Sequence, residues 1–215
     1  MSPRRVADPD RASEIVASAA RLFREKGVKA VSIDDIVQDV GIAKGTFYLY
    51  FKSKDGLLEK LAEALVQQMV LAVEEAGRKE GAAIDRFVAA VLAMQSIDRS
   101  QHYLADALNH PENSALHDLA NMALVREVAP VLAVIVEQGK QDGAFDVEDA
   151  RSTLEFLLAG QAALLGGGRF NWSPEEHAAR LRATFVIIER SLGIQPGKLV
   201  ERFTALGIGR HEPPA

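Results

Sequence analysis

Residues 32–54 encode two short helices joined by a tight turn, and this pattern constrains the fold more than any other feature of the chain. The first half repeats apolar residues at the three- and four-residue spacing of a helix that buries one face. Gly41 follows, a residue type that tolerates the left-handed backbone of a helix end. Residues 44–51 then form a short helix rich in Lys, Thr and Tyr. Two helices joined by such a turn are typical of a helix-turn-helix.

The second of these helices has a face that must be buried and another that stays open. At 100° per residue, Phe47 and Phe51 fall together and are expected to pack against the preceding helices. The other faces carry Gly45, Thr46, Tyr48, Leu49 and Tyr50. Exposed tyrosines and a leucine on so short a helix are hard to explain on a solvated surface, so they indicate contact with a partner.

The open residues suit double-stranded DNA. Thr46 can donate to a phosphate or a base edge, Leu49 can contact a thymine methyl group, and the tyrosine hydroxyls can reach phosphates. Lys44 and Lys54 add charged phosphate contacts. Ser32, at the start of the first helix, can hydrogen-bond a phosphate there. We therefore predict that this surface contacts DNA.

The charge distribution agrees, although the net charge of −5 does not favour an anionic partner. Residues 1–60 contain 11 Lys and Arg against 9 Asp and Glu, whereas the remaining residues contain 14 against 21. The positive charge thus lies beside the helix-turn-helix, and the rest is an acidic body.

Helical periodicity without a clear strand pattern predicts an all-α protein. Two starts are strongly marked, by Ser32 with Asp35 and by Ser173 with Glu176. The predicted helices cover about residues 9–26, 33–40, 44–51, 54–79, 82–97, 100–109, 113–139, 147–166 and 174–192. We expect residues 1–54 to be a DNA-binding domain, residues 55–215 a larger helical domain, and 194–215 a loose or partly helical tail.

Composition excludes several classes of site. Without cysteine the chain has no disulfide, thiolate metal site or cysteine nucleophile. The charged N-terminus lacks the apolar segment of a signal peptide. No apolar run approaches the roughly 18–20 residues of a membrane span. We expect a soluble cytoplasmic protein with no membrane partner and no cofactor.

The sequence resembles the TetR (tetracycline-repressor-like) family of bacterial regulators over about residues 10–60. The similar segments are AARLFREKG, SIDDI and GIAKGTFYLYFKSK. The resemblance implies an all-α homodimer with an N-terminal DNA-binding domain and a C-terminal domain that binds a small ligand. It also implies phosphate contacts by Ser32, Thr46, Tyr48 and Lys54, and base contacts around Lys44, Gly45 and Tyr50.

Two positions depart from the family pattern. Ala43 stands where many members cap the recognition helix with Ser or Thr, and loss of that cap costs about 1 kcal/mol. Asp34 stands where some members have a basic residue that contacts a base. A carboxylate would be repelled by phosphate, although it could accept from cytosine N4. We expect Asp34 to stay solvated and its helix to contribute little to sequence reading.

Two later helices carry apolar stripes. Leucines run down helix 147–166, and a similar stripe follows helix 174–192; such stripes alone are more often intramolecular core. The small residues Ala159, Gly160, Ala162 and Ala163 would admit a close partner helix. The resemblance implies a four-helix dimer interface made by these helices, with recognition helices about 34–36 Å apart and hence a palindromic operator.

A ligand pocket is expected in the body, with His117 as a polar group in apolar surroundings. The candidate lining residues are Phe87, Met94, Tyr103, His117, Met122, Phe156 and Trp172. Ordinary core is the commoner role for each of them.

We interpret the chain as a ligand-responsive DNA-binding regulator, most simply a repressor released from its operator by a small apolar or amphipathic inducer. One alternative is a helical interaction module that has lost DNA binding. The other is a metal-dependent enzyme using His102, Asp106 and His110, which share a helix face. A metal site needs three or four convergent ligands, and the chain lacks a phosphate-binding glycine loop and a Ser–His–Asp arrangement. We therefore predict neither an enzyme nor a metal site.

Overall fold

The computed structural model describes residues 9–100, 104, 114–166 and 170–205, which form nine α-helices and no strand, as the sequence predicts. The helices are α1 Pro9–Lys26, α2 Ile33–Val40, α3 Lys44–Tyr50, α4 Lys54–Gly77, α5 Ala83–Ser100, α6 Ser114–Gln141, α7 Ala150–Leu165, α8 Pro174–Ser191 and α9 Lys198–Ala205. The helix predicted at about 100–109 lies almost wholly outside the described residues.

Helices α1 to α3 close around one small core and are called the head below. Phe23 of α1, Ile36 of α2 and Phe47 of α3 are fully buried in it. The rings of Phe47 and Phe51 lie 5.7 Å apart and are both buried. The apolar spacing of the sequence therefore identified the buried face of α3.

Specific side chains fix the ends of α2. The Ser32 hydroxyl accepts from the backbone N–H of Asp35, and the Asp35 carboxylate accepts from the backbone N–H of Ser32 at 2.7 Å. The hydrogen bonds from Ser32 hold the pKa of Asp35 below its usual range. Gly41 ends the helix with φ 72°, where a side chain would be strained. Both predicted ends are confirmed.

A carboxylate joins α1 to α2. Asp39 accepts from the Ser18 hydroxyl at 2.6 Å and from the guanidinium of Arg21, both on α1. These contacts lower the pKa of Asp39, and the same ion pair raises the pKa of Arg21. An ionised Asp39 therefore links the two helices through Ser18 and Arg21.

Helix α4 leads from the head into the larger helical body. It begins at the Ser53 cap and packs against α1 in the head and against α5 and α6 in the body. Its residues Leu57, Leu58 and Leu61 are buried. Any movement of α4 relative to the body therefore also moves the head.

Helices α5 to α8 run alternately up and down. Arg86, near the start of α5, donates to Gln138, near the end of α6, at 2.7 Å. Gly166, at the end of α7, lies against the imidazole of His117, near the start of α6. Trp172 Nε1 donates to the carbonyl of Leu164 at 3.0 Å and holds the connection from α7 to α8. Each helix thus begins at the end of the body where its predecessor stops.

Contrary to the expectation from the sequence, α6 contains a segment, His117–Gln141, that is long and apolar enough to cross a membrane by length and composition alone, with a mean hydropathy of 1.8. The central helix of a soluble protein's core has the same length and hydropathy, because most of its surface is buried. In this chain α6 packs against α4, α5 and α7, and Val128, Leu132 and Val136 are buried between them.

The tail contains an ordered helix. Glu189 of α8 is buried, and its carboxylate accepts from the backbone N–H groups of Gly197 at 2.8 Å, Leu199 at 2.7 Å and Val200 at 3.1 Å. It thereby satisfies N–H groups at the start of α9 that have no partner within that helix. Leu199 and Phe203, one turn apart, bury the apolar side of α9.

Candidate functional site

The outer face of α3 is open to solvent. Tyr48 is 49% exposed and Leu49 is 55% exposed, although both are large apolar residues. Gly45 is exposed beside them, while Phe47 on the opposite side anchors the helix in the core. The head therefore anchors α3 through its buried face and leaves the opposite face of this helix open to solvent.

Gly45 has no evident role in the packing of the head. Nothing lies within 4 Å of the point where a Cβ would stand, and its φ is not in the left-handed region. A glycine inside a helix costs about 1 kcal/mol relative to alanine. Its presence is explained if another molecule approaches this backbone closely.

Lys44, at the start of α3, is paired with Asp34 of α2. The Lys44 ammonium lies 2.8 Å from the Asp34 carboxylate, and this contact raises the pKa of Lys44. Asp34 is exposed as expected, but its ion pair with Lys44 was not predicted from the sequence. The carboxylate cancels part of the positive charge at the open face.

Two other predicted phosphate-binding residues have partners within the head. The Lys54 ammonium donates to the carbonyl of Val28 and lies 5.7 Å from the ring centroid of Phe23; partial burial lowers the pKa of Lys54. The hydroxyl of Ser32 is part of the cap of α2. An ammonium has three N–H donors, so Lys54 keeps donors for a second contact.

Tyr50 is placed differently from the expectation that it flanks the open face. Its ring is half-buried against the core and lines a cleft between α1 and α4. At 100° per residue Tyr50 lies much nearer to Phe47 than Leu49 does, which explains the difference. Thr46 is half-buried on the same short helix.

The start of α3 has no side-chain cap. Ala43 occupies the capping position with extended φ and ψ of −73° and 147°, and its methyl group cannot accept a hydrogen bond. The seven residues of α3 are therefore held by Phe47 and Phe51 and by the connection to α2.

The body encloses an apolar cavity of about 420 Å³ between α4, α5, α6, α7, α8 and α9. Three of the predicted pocket residues, Phe87, Met94 and His117, line it. His117 is almost completely buried there. The volume lies within the range of small-molecule sites, so the cavity is the candidate ligand site.

Three other predicted pocket residues do not line the cavity. Met122 is 67% exposed and Phe156 is 79% exposed, because each lies on the outer face of its helix. Trp172 stacks on Phe170, with centroids 5.1 Å apart, and under the guanidinium of Arg180. Their assignment to the pocket is wrong. Tyr103 lies outside the described residues.

The sequence interpretation missed the contribution of the tail. Leu199 and Phe203 line the cavity, as do Gln95 and His177. The four-residue spacing of Leu199 and Phe203 after Gly197 could have predicted a short helix with one buried face. The weak helical character of the preceding Gly- and Pro-containing segment obscured it.

Leu65 of α4 lies between two spaces. It lines the cavity on one side and the cleft beneath α1 and Tyr50 on the other. The side chain is buried, so it forms part of the wall between the cavity and the side of α4 that faces α1.

The leucine stripe of α7 faces inward. Leu154, Leu157, Leu158 and Leu165 line the cavity, so most of this stripe is intramolecular core, whereas Leu164 is exposed. Ala162, expected to admit a partner helix, also lines the cavity. The outer faces of α7 and α8 are nevertheless apolar and exposed. These faces carry Phe156, Ala159, Gly160, Ala163, Leu164, Ala183, Val186 and Ile187. Such an extended apolar surface is typical of a protein interface.

Within the described residues, no group of three or more His, Asp or Glu side chains is arranged to hold a metal ion. The candidate ligands His102, Asp106 and His110 lie outside those residues. The expectation that they form no metal site is therefore not tested by the structure.

A helix-turn-helix head joined through one long helix to a helical body with a cavity defines a class of two-domain regulatory proteins. Family comparison gives the same result for both parts. Residues 15–61 match the model of bacterial regulatory proteins of the tetR family, and residues 94–187 match a tetracyclin repressor-like C-terminal domain. The chain belongs to the TetR family of bacterial transcriptional regulators.

Sequence relatives resemble the head most strongly. YvdT of Bacillus subtilis is 47% identical over 53 residues, 25% of this chain and 27% of that protein. The transcriptional repressor KstR2 of Mycolicibacterium smegmatis is 24% identical over 151 residues, 67% of this chain and 73% of that protein. For YvdT and an EthR protein, the matched stretch spans about a quarter of the relative's length.

The similarity in fold to a solved regulator covers nearly the full length of both chains. RolR in complex with resorcinol aligns with a TM-score of 0.66 and 20% identity, over 96% of each chain. The shared architecture therefore includes the body, where the sequences have diverged.

Proposed function

We propose that this protein is a ligand-responsive transcriptional repressor that binds double-stranded DNA as a homodimer. The observation that carries the proposal is the outer face of α3. Exposed Tyr48 and Leu49 flank a glycine that the head itself does not require. Insertion of this face into a major groove explains these residue types together.

The proposed DNA contacts fall into two groups. Gly45 and Leu49 approach the bases from α3, while Ser32, Lys44, Thr46, Tyr48 and Lys54 contact the phosphates at its edges. Tyr50 contributes through its hydroxyl group from a ring that packs against the core. In this arrangement residues 1–54 are the DNA-binding domain, and residues 55–215 bind ligand and partner.

The proposed dimer forms through the outer faces of α7 and α8. These faces expose several apolar and small residues, including Phe156, Gly160 and Ile187. Two helices from each subunit would form a four-helix interface. The symmetry of such a dimer sets its two α3 helices on successive major grooves of a palindromic operator in the cytoplasm.

The proposed effector is a small apolar or amphipathic molecule in the cavity. RolR has been solved with resorcinol, which supports a search for a ligand in a body of this architecture. Leu65 offers the path of coupling, because it borders both the cavity and the cleft beneath α1. To move a dimer from almost fully competent to almost fully incompetent, the effector must prefer one state by about 10⁴-fold, or roughly 5.5 kcal/mol.

Footprinting on the DNA upstream of the protein's own gene, across a salt series, tests the proposal. We expect a protected palindrome whose affinity falls steeply with salt. Absence of a protected site at low salt would instead favour an interaction module. Gly45→Ala supplies the sharper test: it should raise the free energy of unfolding by up to about 1 kcal/mol and yet weaken operator binding at least tenfold.

Gly56→Ala is the matched control, the same substitution in α4 at a glycine outside the proposed DNA and dimer contacts, where an added Cβ would meet only the Ser53 hydroxyl at 3.7 Å. It should not alter the DNA affinity of the assembled dimer. If Gly45→Ala binds the operator as tightly as wild type, the backbone of α3 does not approach DNA and the proposed contact surface is wrong.

A further inference from the structure

The polar side chains that line the cavity gather at one end. On α6, His117 and Asn121 precede Leu124 and Leu132, whereas on α7 Gln161 follows Leu154, Leu157 and Leu158 and precedes only Leu165 of the lining leucines. Because α6 and α7 are antiparallel, with Gly166 against His117, these polar residues share one end of the cavity.

The neighbouring helices add polar groups at the same end. Gln95 is the last cavity residue of α5, which is antiparallel to α6, and His177 is the first of α8. The side chain of His177 is exposed, so this end reaches solvent. The polar end, as used below, consists of Gln95, His117, Asn121, Gln161 and His177.

The rest of the cavity is apolar and elongated. On α8 the lining continues from His177 through Leu181 and Phe185 to Ile188, a distance of roughly 16 Å at 1.5 Å per residue. Leu199 and Phe203 of α9 line the apolar part. A molecule that fills this space must bury an extended apolar body.

The chemistry of the polar end selects a type of head group. Among the described residues that line the cavity there is no Lys, Arg, Asp or Glu. Burial of a charged group without a counter-charge is costly, whereas amide and imidazole groups satisfy a neutral hydroxyl, carbonyl or amide.

We propose that the cavity binds an uncharged amphiphile, with its apolar body along α7 and α8 and a single hydrogen-bonding head group at the polar end. This inference rests on the proposed role of the cavity as the effector site. It adds the charge of the ligand, its orientation and the side chains that recognise its head.

Three probes with the same alkyl chain and different heads test this class: decan-1-ol, decanoate and decyltrimethylammonium. Calorimetric titration of the full chain should give an affinity for decan-1-ol at least tenfold higher than for either ion. The Asn121→Leu/Gln161→Leu variant should lose at least fivefold in affinity for decan-1-ol. Met69→Leu, which alters only the apolar wall, should change the affinities for all three probes by a similar factor.

Each failure has a distinct meaning. If decanoate binds as tightly as decan-1-ol, a cationic histidine recognises the head and the uncharged class is wrong. If the double variant keeps full affinity for decan-1-ol, or if none of the probes binds, the assigned polar end is wrong while operator binding can still stand. If the head-group preference is found in a protein without a footprint, the ligand class stands and the proposed function fails.

Discussion

The ammonium of Lys44 lies 2.8 Å from the carboxylate of Asp34, so an ion pair links the start of the recognition helix to the preceding helix. Both side chains are exposed, and the pair lies beside the face proposed to contact DNA. DNA phosphates must therefore compete with Asp34 for Lys44, and they are repelled by the carboxylate itself. Asp34 is expected to lower the general affinity for DNA.

Replacement of Asp34 by Asn should raise the affinity for non-specific DNA about threefold to tenfold and steepen its salt dependence, because one more lysine is free for phosphate. Fluorescence anisotropy with an unrelated duplex measures both quantities. Asp142→Asn makes the same charge change in the turn between α6 and α7 and is the control. Weaker operator binding by Asp34→Asn would indicate that the carboxylate accepts from a base.

A cap introduced at the start of α3 should stabilise the head. Ala43→Ser supplies the missing acceptor for a backbone N–H group and should raise the free energy of unfolding by about 1 kcal/mol. Urea unfolding measures the change, and Ala43→Val, which suits the extended backbone but has no such acceptor, is the comparison. Equal stability of the Ser variant and wild type would mean that the connection to α2 already satisfies these groups.

The link between α1 and α2 should weaken in acid. The pKa of Asp39 is lower in the folded protein than in the unfolded chain, where it is about 3.9. Its contribution is therefore complete above that value and is lost as the pH falls through the lower folded pKa. Asp39→Asn should destabilise the protein at pH 7 and progressively less below pH 4, as measured by urea unfolding. A constant difference at every pH would contradict an electrostatic role.

The buried carboxylate of Glu189 should be essential for the attachment of α9. Glu189→Gln replaces one acceptor oxygen by an N–H₂ group that faces backbone donors, and should cost about 1–3 kcal/mol. Thermal unfolding and limited proteolysis near residue 197 would report the loss. Glu201→Gln, on the exposed side of α9, is the control. Unchanged protease resistance in Glu189→Gln would mean that apolar packing alone holds this helix.

A charge on the outer face of α8 should separate the proposed dimer. Ile187→Glu places a carboxylate among apolar residues that would be buried between subunits, so sedimentation should detect monomers at concentrations where wild type is dimeric. Leu71→Glu alters an equally exposed apolar residue on α4 and should leave the dimer intact. If Ile187→Glu remains dimeric, the interface does not include the outer face of α8 and the proposed dimer is wrong.

The sequence predicted the head more completely than the body because local rules determine the head. The capping box at Ser32, the left-handed Gly41 and the buried pair Phe47 and Phe51 all follow from spacing within a few residues. The same rules could not foresee the pair between Lys44 and Asp34, since it depends on the angle between two helices.

The cavity was harder to predict because its walls come from six helices far apart in the chain. Residue type alone placed Met122 and Phe156 in it, whereas the packing of α6 and α7 turns both outward. The leucine stripe of α7 was recognised, but its direction depends on tertiary contacts. Leu199 and Phe203 reach the cavity because Glu189 of α8 holds α9 in place. This contact depends on the packing of α8 against α9, so local sequence rules could not predict it.

The position of Leu65 has a consequence for how the protein can diverge. A substitution there that adapts the cavity to a new molecule also changes the surface on which α1 rests. If the cavity is the effector site as proposed, a variant at this position is expected to change both the ligand preference and the packing of α1 on α4, so the two properties evolve together. A lineage that acquires a new effector through Leu65 is therefore expected to carry compensating changes along α1.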